Sequence, residues 1–317
     1  MKVSVIVPMY NVETFVEQCL ESLAAQTLRD MEVILVDDGC TDNTPLIADK
    51  FVTKYPERFR MVHKKNGGLS DARNYGMPYA RGRYIAFLDS DDWAEPSLYE
   101  KLSALMDQGY DVVLTDIEYY YEDPSRRFVM KGLSDWPAET IQKKALLSPM
   151  FAWNKIYRAA YFREEKYRYP LHTWYEDTPV SAPILATAAK IGYLPECLIH
   201  YRQREGSIMA ETDSPRLKEI FGVMAMLRTA FHRRGLEEEF HEELEYLHVE
   251  HLRLYGMFRF LRSSQWKELY ERSEDTMRVN FPDWKKNKYL KNLNAKNRFF
   301  LNCFNAKTAW LFKAAIR

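Results

Sequence analysis

The first 120 residues alternate short apolar runs, rich in β-branched residues, with segments whose apolar residues recur at helical spacing. The short runs predict buried strands, and the longer periodic segments predict helices. The predicted strands cover residues 3–8, 33–36, 60–63, 84–88 and 111–116, and the predicted helices cover residues 12–23, 44–55, 69–79 and 97–108. Strands separated by helices of this length form βαβ units. We therefore predict an α/β fold in which helices flank a mainly parallel sheet.

Three acidic residues, Asp89, Asp91 and Asp92, directly follow the predicted strand at 84–88. The carboxyl ends of strands are where open α/β sheets bind ligands. Carboxylate oxygens suit a divalent cation that also holds a diphosphate. The same residues suit a turn that caps a helix starting near Pro96. This pattern alone leaves a metal site and a capped turn open.

The charges of the chain sum to zero but are unevenly distributed. Residues 285–317 contain nine Lys or Arg and no Asp or Glu, so residues 1–284 carry 36 basic and 45 acidic side chains. An acidic body argues against a general nucleic-acid binder, whereas the basic tail suits an anionic surface. Hydrophobic residues make up 46% of the chain, which is enough for a substantial core.

The four cysteines are scattered, with no Cys-x-x-Cys pair. Their spacing argues against a disulfide framework and a zinc site, and it fits a reducing compartment. The strand pattern begins at Val3, which leaves no room for a signal peptide. No apolar run approaches the roughly 20 residues that span a bilayer. We therefore expect a cytoplasmic protein, with any membrane contact peripheral and on the inner face of the cell membrane.

Four segments that occur in order along the chain resemble the signatures of family 2 glycosyltransferases. They span residues 5–13, 36–42, 66–76 and 87–92 and read VIVPMYNVE, VDDGCTD, NGGLSDARNYG and FLDSDD. Four motifs in order are more specific than any one of them. The resemblance covers residues 1–210 and implies a GT-A fold, a nucleotide-sugar donor and inversion at the anomeric carbon. Cys40 departs from the family, which more often has Ser at this turn position.

The resemblance also implies a set of donor-binding residues. Tyr10 would stack on the base, Asp38 would read it, and Arg73 would meet phosphate or base oxygens. Taken singly, Tyr10 also suits packing at a strand end, Arg73 a solvated helix surface, and Trp153 the core. The implied contacts with the nucleotide sugar are Pro8, Tyr10, Asn11, Glu13, Asp38, Asn66, Gly68, Arg73, Asp89, Ser90, Trp153, Asn154, Arg202, Arg204 and Ser207.

The Asp-x-Asp resemblance assigns the acidic cluster to the donor as well. It implies that Asp91, together with Asp92, holds Mn²⁺ or Mg²⁺, and that Asp89 meets the ribose or orients the metal ligands. The cation would neutralise the charge that develops on the departing diphosphate. Which of the three carboxylates touches the cation stays open.

Residues 172–179, which read HTWYEDTP, resemble the Glu-Asp motif of these enzymes. In that motif the Asp acts as general base, so the resemblance implies this role for Asp177. A general base takes the proton from the acceptor hydroxyl as it attacks the donor. The alternative is that Glu176 and Asp177 cap a helix predicted over residues 180–190.

The pattern predicts two regions. Residues 1–215 form a GT-A catalytic domain, in which residues 1–120 hold the nucleotide sugar and residues 121–215 face the acceptor. Residues 216–317 are mainly helical, with one long amphipathic helix predicted over 236–258 and a basic, aromatic tail. That tail suits docking on the acidic body, contact with a second copy of the chain, or contact with an anionic membrane.

We therefore predict an inverting, metal-dependent glycosyltransferase. Its donor would be a UDP-sugar, and its acceptor a glycan or lipid-linked hydroxyl in surface polysaccharide synthesis. The alternatives are a catalytically silent nucleotide- or glycan-binding subunit with the same fold, and a transferase that moves a sugar to a polyprenyl phosphate.

Overall fold

The computed structural model describes residues 1–204 and 211–316, which cluster into two compact units. We call them the sheet unit and the helical unit. The sheet unit comprises Met1–Ser134, Ser148–His172 and Glu176–Gln203. The helical unit comprises Asp135–Leu147, Thr173–Tyr175 and Arg204–Arg317.

The sheet unit contains one sheet, whose nine described strands run in the order β3-β2-β1-β4-β8-β6-β9-β5, with β7 paired to β6. Strands β1 to β4 pair in parallel, as do β6 and β9, and the other pairs are antiparallel. The predicted α/β fold is confirmed. The strands are β1 Val3–Met9, β2 Met31–Asp37, β3 Phe59–His63, β4 Tyr84–Phe87, β5 Trp93–Ala94, β6 Val112–Tyr120, β7 Phe128–Met130, β8 Lys155–Arg158 and β9 Ile191–Arg202.

Helices follow the strands of the sheet unit and pack on them through apolar stripes. In α1 the buried residues Val16, Cys19, Leu20 and Leu23 recur at helical spacing. Every residue of β1 and β2 is buried, as expected when helices cover both faces of a parallel sheet. The helices of this unit are α1 Val16–Ala24, α2 Thr44–Lys54, α3 Leu69–Gly76, α4 Leu98–Met106, α6 Ala160–Arg163 and α7 Thr178–Thr187.

The helical unit corrects one prediction, because the single long helix expected over residues 236–258 is interrupted. A π-helical segment, Val249–Leu254, separates α9 from α10. In the part of the chain that the structure describes, no helix is long and apolar enough to cross a bilayer. The helices of this unit are α5 Ile141–Leu146, α8 Glu219–His232, α9 His241–His248, α10 Tyr255–Phe260, α11 Trp266–Asn280, α12 Ala295–Cys303 and α13 Ala309–Ile316.

Candidate active site

Asp38, directly after β2, organises the glycine loop that leads into α3. Its buried carboxylate accepts hydrogen bonds from the amides of Gly67, at 3.0 Å, and Gly68, at 2.8 Å. Lys64 also donates to Asp38. Gly68 has a φ of 87°, which a residue with a side chain rarely adopts. The loop therefore exposes backbone groups at the carboxyl edge of the sheet, where the sequence predicts that a nucleotide binds.

The loop after β1 lies against the loop after β2. Asn11 accepts from the amide of Thr41 at 2.8 Å, and Glu13 accepts from the amide of Asn43 at 2.9 Å. Asn11 and Glu13, which were predicted to contact the nucleotide sugar, therefore hold the two loops together. Tyr10, by contrast, is 50% exposed. Its ring is available to stack on a flat ligand at this edge.

Arg73, in α3, is enclosed by three carboxylates. Its side chain is only 1% exposed. Nη1 donates to Oε1 of Glu176 at 2.9 Å and to Oδ1 of Asp177 at 2.7 Å, and Nη2 donates to Oδ1 of Asp89 at 2.8 Å. This guanidinium therefore links the acidic turn after β4 to the start of α7.

Asp177 directly precedes α7, which is where a helix cap would stand. Among residues 1–204 and 211–316, however, its side chain makes no capping hydrogen bond. Instead, Oδ1 faces Arg73, and Oδ2 accepts from the amide of Ala152 at 3.0 Å. This geometry argues against the capping alternative and fixes the orientation of the carboxylate.

The carboxyl groups of Glu176 and Asp177 have raised pKa values and hold protons more tightly than usual. One guanidinium faces three carboxylates, so full ionisation would leave excess negative charge in a buried place. Burial, followed by the charge of Asp177, raises the pKa of Glu176 to about 7. Burial also raises the pKa of Asp177, although Arg73 lowers it. A carboxyl group with a raised pKa is suited to act as a general base near neutral pH.

The acidic turn after β4 lies against the end of β9. Oδ1 of Asp92 accepts from the amide of Arg202 at 2.8 Å, and Nε of Arg202 donates to the carbonyl of Asp91 at 2.9 Å. Burial, followed by the charges of Asp91 and Asp89, raises the pKa of Asp92. Within the described residues, the buried Oδ2 of Asp92 has no hydrogen-bond partner. An orphaned carboxylate oxygen of this kind is available to a cation.

The donor set of this turn fits a cation that arrives with a diphosphate. Among the described residues, no group of three or more His, Cys, Asp and Glu side chains is arranged to hold a metal by itself. Mg²⁺, however, is typically held by one or two carboxylates together with substrate phosphates. Asp91 and Asp92 match that kind of incomplete protein site.

Trp153 and Asn154 are buried in the sheet unit. The ring of Trp153 stacks on Phe151 with centroids 4.9 Å apart. Asn154 donates to the carbonyl of Thr115 at 3.2 Å. This burial favours a core role for Trp153, the alternative that the sequence left open. Of the other predicted contacts, Ser90 is buried, Arg204 lies at the edge of the described residues, and Ser207 lies outside them.

Lys155 is a buried residue beside the site that the sequence did not single out. Its ammonium donates to the carbonyls of Pro149, at 2.8 Å, and Phe151, at 2.7 Å. It therefore holds the loop whose Ala152 amide donates to Asp177. Burial lowers the pKa of Lys155 to about 7. The available signal in the sequence was a single lysine within the mostly apolar segment 149–157.

The raised pKa of Glu176 predicts a pH-dependent stability. Because the pKa in the folded state is about 7 against an ordinary 4.5, the folded chain keeps a proton that the unfolded chain loses. The free energy of unfolding should therefore fall between about pH 4.5 and pH 7, by about 1–3 kcal/mol from this group. Urea unfolding at pH 5 and pH 7.5 measures the fall, which should be smaller in Glu176→Gln. Equal falls in both proteins would contradict the assignment.

The sequence matches known proteins over most of its length. A family model described as "Glycosyl transferase family 2" matches residues 4–169. The chain is 33% identical over 253 residues to "Uncharacterized glycosyltransferase EpsJ" of Bacillus subtilis (strain 168), covering 76% of this chain and 73% of that protein.

Two solved structures share the fold. A crystal structure of S. aureus TarS 1–349 in complex with UDP matches with a TM-score of 0.72 at 22% identity, covering 100% of this chain and 89% of that one. Mannosyltransferase PcManGT from Pyrobaculum calidifontis, in complex with GDP-Man and Mn²⁺, matches with a TM-score of 0.58 at 16% identity, covering 99% and 86%. The predicted GT-A fold is confirmed.

Proposed function

This chain belongs to glycosyltransferase family 2, and from that membership we propose that it transfers a sugar from a UDP-sugar to an acceptor hydroxyl with inversion of the anomeric centre. The observation that carries the proposal is the buried guanidinium of Arg73, which joins Asp177 to Asp89. Asp177, the candidate general base, is thereby held next to the turn that would bind the nucleotide sugar.

The nucleotide would lie over the edge formed by the loops after β1 and β2. Tyr10 would stack on the base, and Asp38 would keep the glycine loop in place while accepting from the base. Both oxygens of Asp38 already accept amide hydrogen bonds, yet a carboxylate has room for further donors. A uracil base is favoured because the more similar of the two solved structures contains UDP.

The diphosphate and its cation would lie at the acidic turn. Asp91 and Asp92 would hold Mn²⁺ or Mg²⁺, and Asp89 would lie beside the ribose. The cation would neutralise charge on the departing diphosphate. Arg202, already bonded to this turn, would add a positive charge to the same leaving group, with Arg204 and Ser207 following it in the chain.

Transfer would proceed by a single displacement. Asp177 would take the proton of the acceptor hydroxyl while the oxygen of that hydroxyl bonds to the anomeric carbon. The bond from that carbon to the diphosphate would break on the opposite face, and the electron pair would leave with the nucleotide. Arg73 would hold the carboxylate of Asp177 in position in this step, because both of its terminal nitrogens donate hydrogen bonds to protein carboxylates. Trp153 and Asn154 would support the site from the core.

The acceptor would be a glycan or a lipid-linked glycan of surface polysaccharide synthesis. The chain would work in the cytoplasm, at the inner face of the cell membrane. Residues 1–215 would perform the reaction, and residues 216–317 would serve the acceptor or the location of the enzyme.

Nucleotide release from a panel of UDP- and GDP-sugars tests the proposal, because water can replace an unidentified acceptor. We expect turnover with a UDP-sugar in Mn²⁺ or Mg²⁺, loss of turnover with a chelator, and recovery when the cation is restored. Absence of cation-dependent release from every donor would contradict the proposal and favour a silent binding subunit.

A further inference from the structure

The last two helices, α12 and α13, form a hairpin within the helical unit. Phe300 and Phe304 of this hairpin are buried, and the ring of Phe312 lies 5.0 Å from Phe300 and 5.6 Å from Phe304. The ring of Phe300 also lies 4.4 Å from that of Phe258. One face of the hairpin is thus anchored in the core of its unit.

The hairpin also exposes three large apolar side chains. Phe299 is 62% exposed, Trp310 is 68% exposed and Leu311 is 50% exposed. The ring of Phe299 lies 6.3 Å from that of Phe312, which follows Leu311 in α13, so the two helices are in contact beside Phe299. Single exposed apolar residues are ordinary, but a group of this kind marks an interaction surface.

The segment that carries these exposed apolar residues is basic. Residues 285–317 carry nine Lys or Arg and no Asp or Glu. Four of the basic residues in and around the hairpin are exposed: Lys291, Lys296, Arg298 and Lys307. Segments that combine exposed basic side chains with exposed aromatic and apolar ones are typical of membrane interfaces.

The charges distinguish a membrane from a second copy of the chain. In a two-fold symmetric dimer the same surface patch is used on both copies, which would bring these basic residues against one another. Like charges that face one another across an interface weaken it. Anionic lipid headgroups instead carry the charge opposite to that of the exposed basic residues.

We propose that the surface formed by Phe299, Trp310, Leu311 and the exposed basic residues of this segment binds an anionic lipid bilayer. The apolar side chains enter the headgroup region, and the lysine and arginine side chains meet lipid phosphates. The chain is thereby held on the membrane without spanning it. Membrane binding would bring the enzyme to a lipid-linked acceptor, and this purpose rests on the proposed function. The test of membrane binding does not depend on sugar transfer.

Sedimentation of the full chain with lipid vesicles tests this surface. We expect binding to vesicles of equal parts phosphatidylglycerol and phosphatidylcholine, little binding to phosphatidylcholine alone, and weaker binding as salt rises. The Phe299→Ser/Trp310→Ser/Leu311→Ser variant should bind the anionic vesicles at least about tenfold more weakly. The matched control is Leu46→Ser/Met226→Ser/Val279→Ser, which replaces three exposed apolar residues on other helices and should bind like the wild type.

Two further measurements keep the outcomes distinct. Nucleotide release without vesicles should be the same in the hairpin variant and the wild type, which shows that the variant is folded. If the wild type releases no nucleotide, the sugar-transfer proposal fails while vesicle binding is still measured. The membrane proposal is overturned if the wild type does not bind anionic vesicles. It is also overturned if the hairpin variant binds them as tightly as the wild type. A dimer in the ultracentrifuge that the hairpin variant abolishes, without vesicle binding, would replace it with self-association.

Discussion

Replacing Asp177 with asparagine should lower the rate of nucleotide release at saturating donor by between about 10²-fold and 10⁴-fold. The amide keeps the shape of the side chain but cannot take a proton from an acceptor. The asparagine side chain also has only one oxygen, so it cannot accept hydrogen bonds at both ends from Arg73 and the Ala152 amide, as Asp177 does. Donor affinity, measured by calorimetric titration of UDP with Mn²⁺, should change little, because no nucleotide contact is assigned to Asp177.

A matched substitution separates loss of the base from a general effect of removing a carboxylate. Asp123→Asn alters an exposed aspartate whose side chain accepts from Ser125 in a surface turn of the sheet unit. This variant should release nucleotide at the wild-type rate. If Asp177→Asn does so as well, Asp177 is not the base.

Replacing Arg73 with methionine should reduce the free energy of unfolding by about 3–5 kcal/mol, because three carboxylates would lose their shared buried cation. Urea unfolding measures the loss. Arg83→Met is the control, since Arg83 is 65% exposed and pairs with Asp107 at the surface. An exposed pair contributes about 0–1 kcal/mol.

A second substitution tests whether the penalty arises from the carboxylates. Adding Glu176→Gln to Arg73→Met removes one of the acidic groups that lost their cation, and it should restore part of the lost stability when unfolding is measured at pH 7.5. The two changes should therefore be non-additive, as expected for residues in one ion-pair network. A loss in Arg73→Met no larger than that in Arg83→Met would contradict the buried network.

The sheet could be predicted well because its first strands are buried on both faces. The run predicted at residues 3–8 corresponds to Val3–Met9, and the run at 33–36 corresponds to Met31–Asp37. Strands covered by helices on both sides need nearly continuous apolar sequence, so the apolar run marks the strand directly.

The interrupted helix could not be predicted from its apolar stripe. Helical spacing continues across Val249–Leu254, where the backbone is π-helical. A side chain at Gly256 would meet the carbonyl of His251 at 1.6 Å, so the local path requires glycine there. A single glycine in a periodic segment does not by itself indicate such a bulge.

The candidate site was predicted as a set of motifs but not as an arrangement. The motifs supplied Arg73, Asp89 and Asp177, yet Arg73 was expected to face the ligand. Its contact with Glu176 joins residues 103 positions apart. Sequence spacing carries no information about a pairing over that distance, and Glu176 stood out only as the neighbour of Asp177.

Proton NMR of the sugar that the enzyme releases from an α-linked UDP-sugar tests whether transfer is a single displacement with inversion. A single displacement by water, with Asp177 as base, forms the β-anomer first, before the anomers equilibrate in solution. We expect an initial β signal that requires the divalent cation. An initial α signal would contradict inversion, because retention requires a different reaction course.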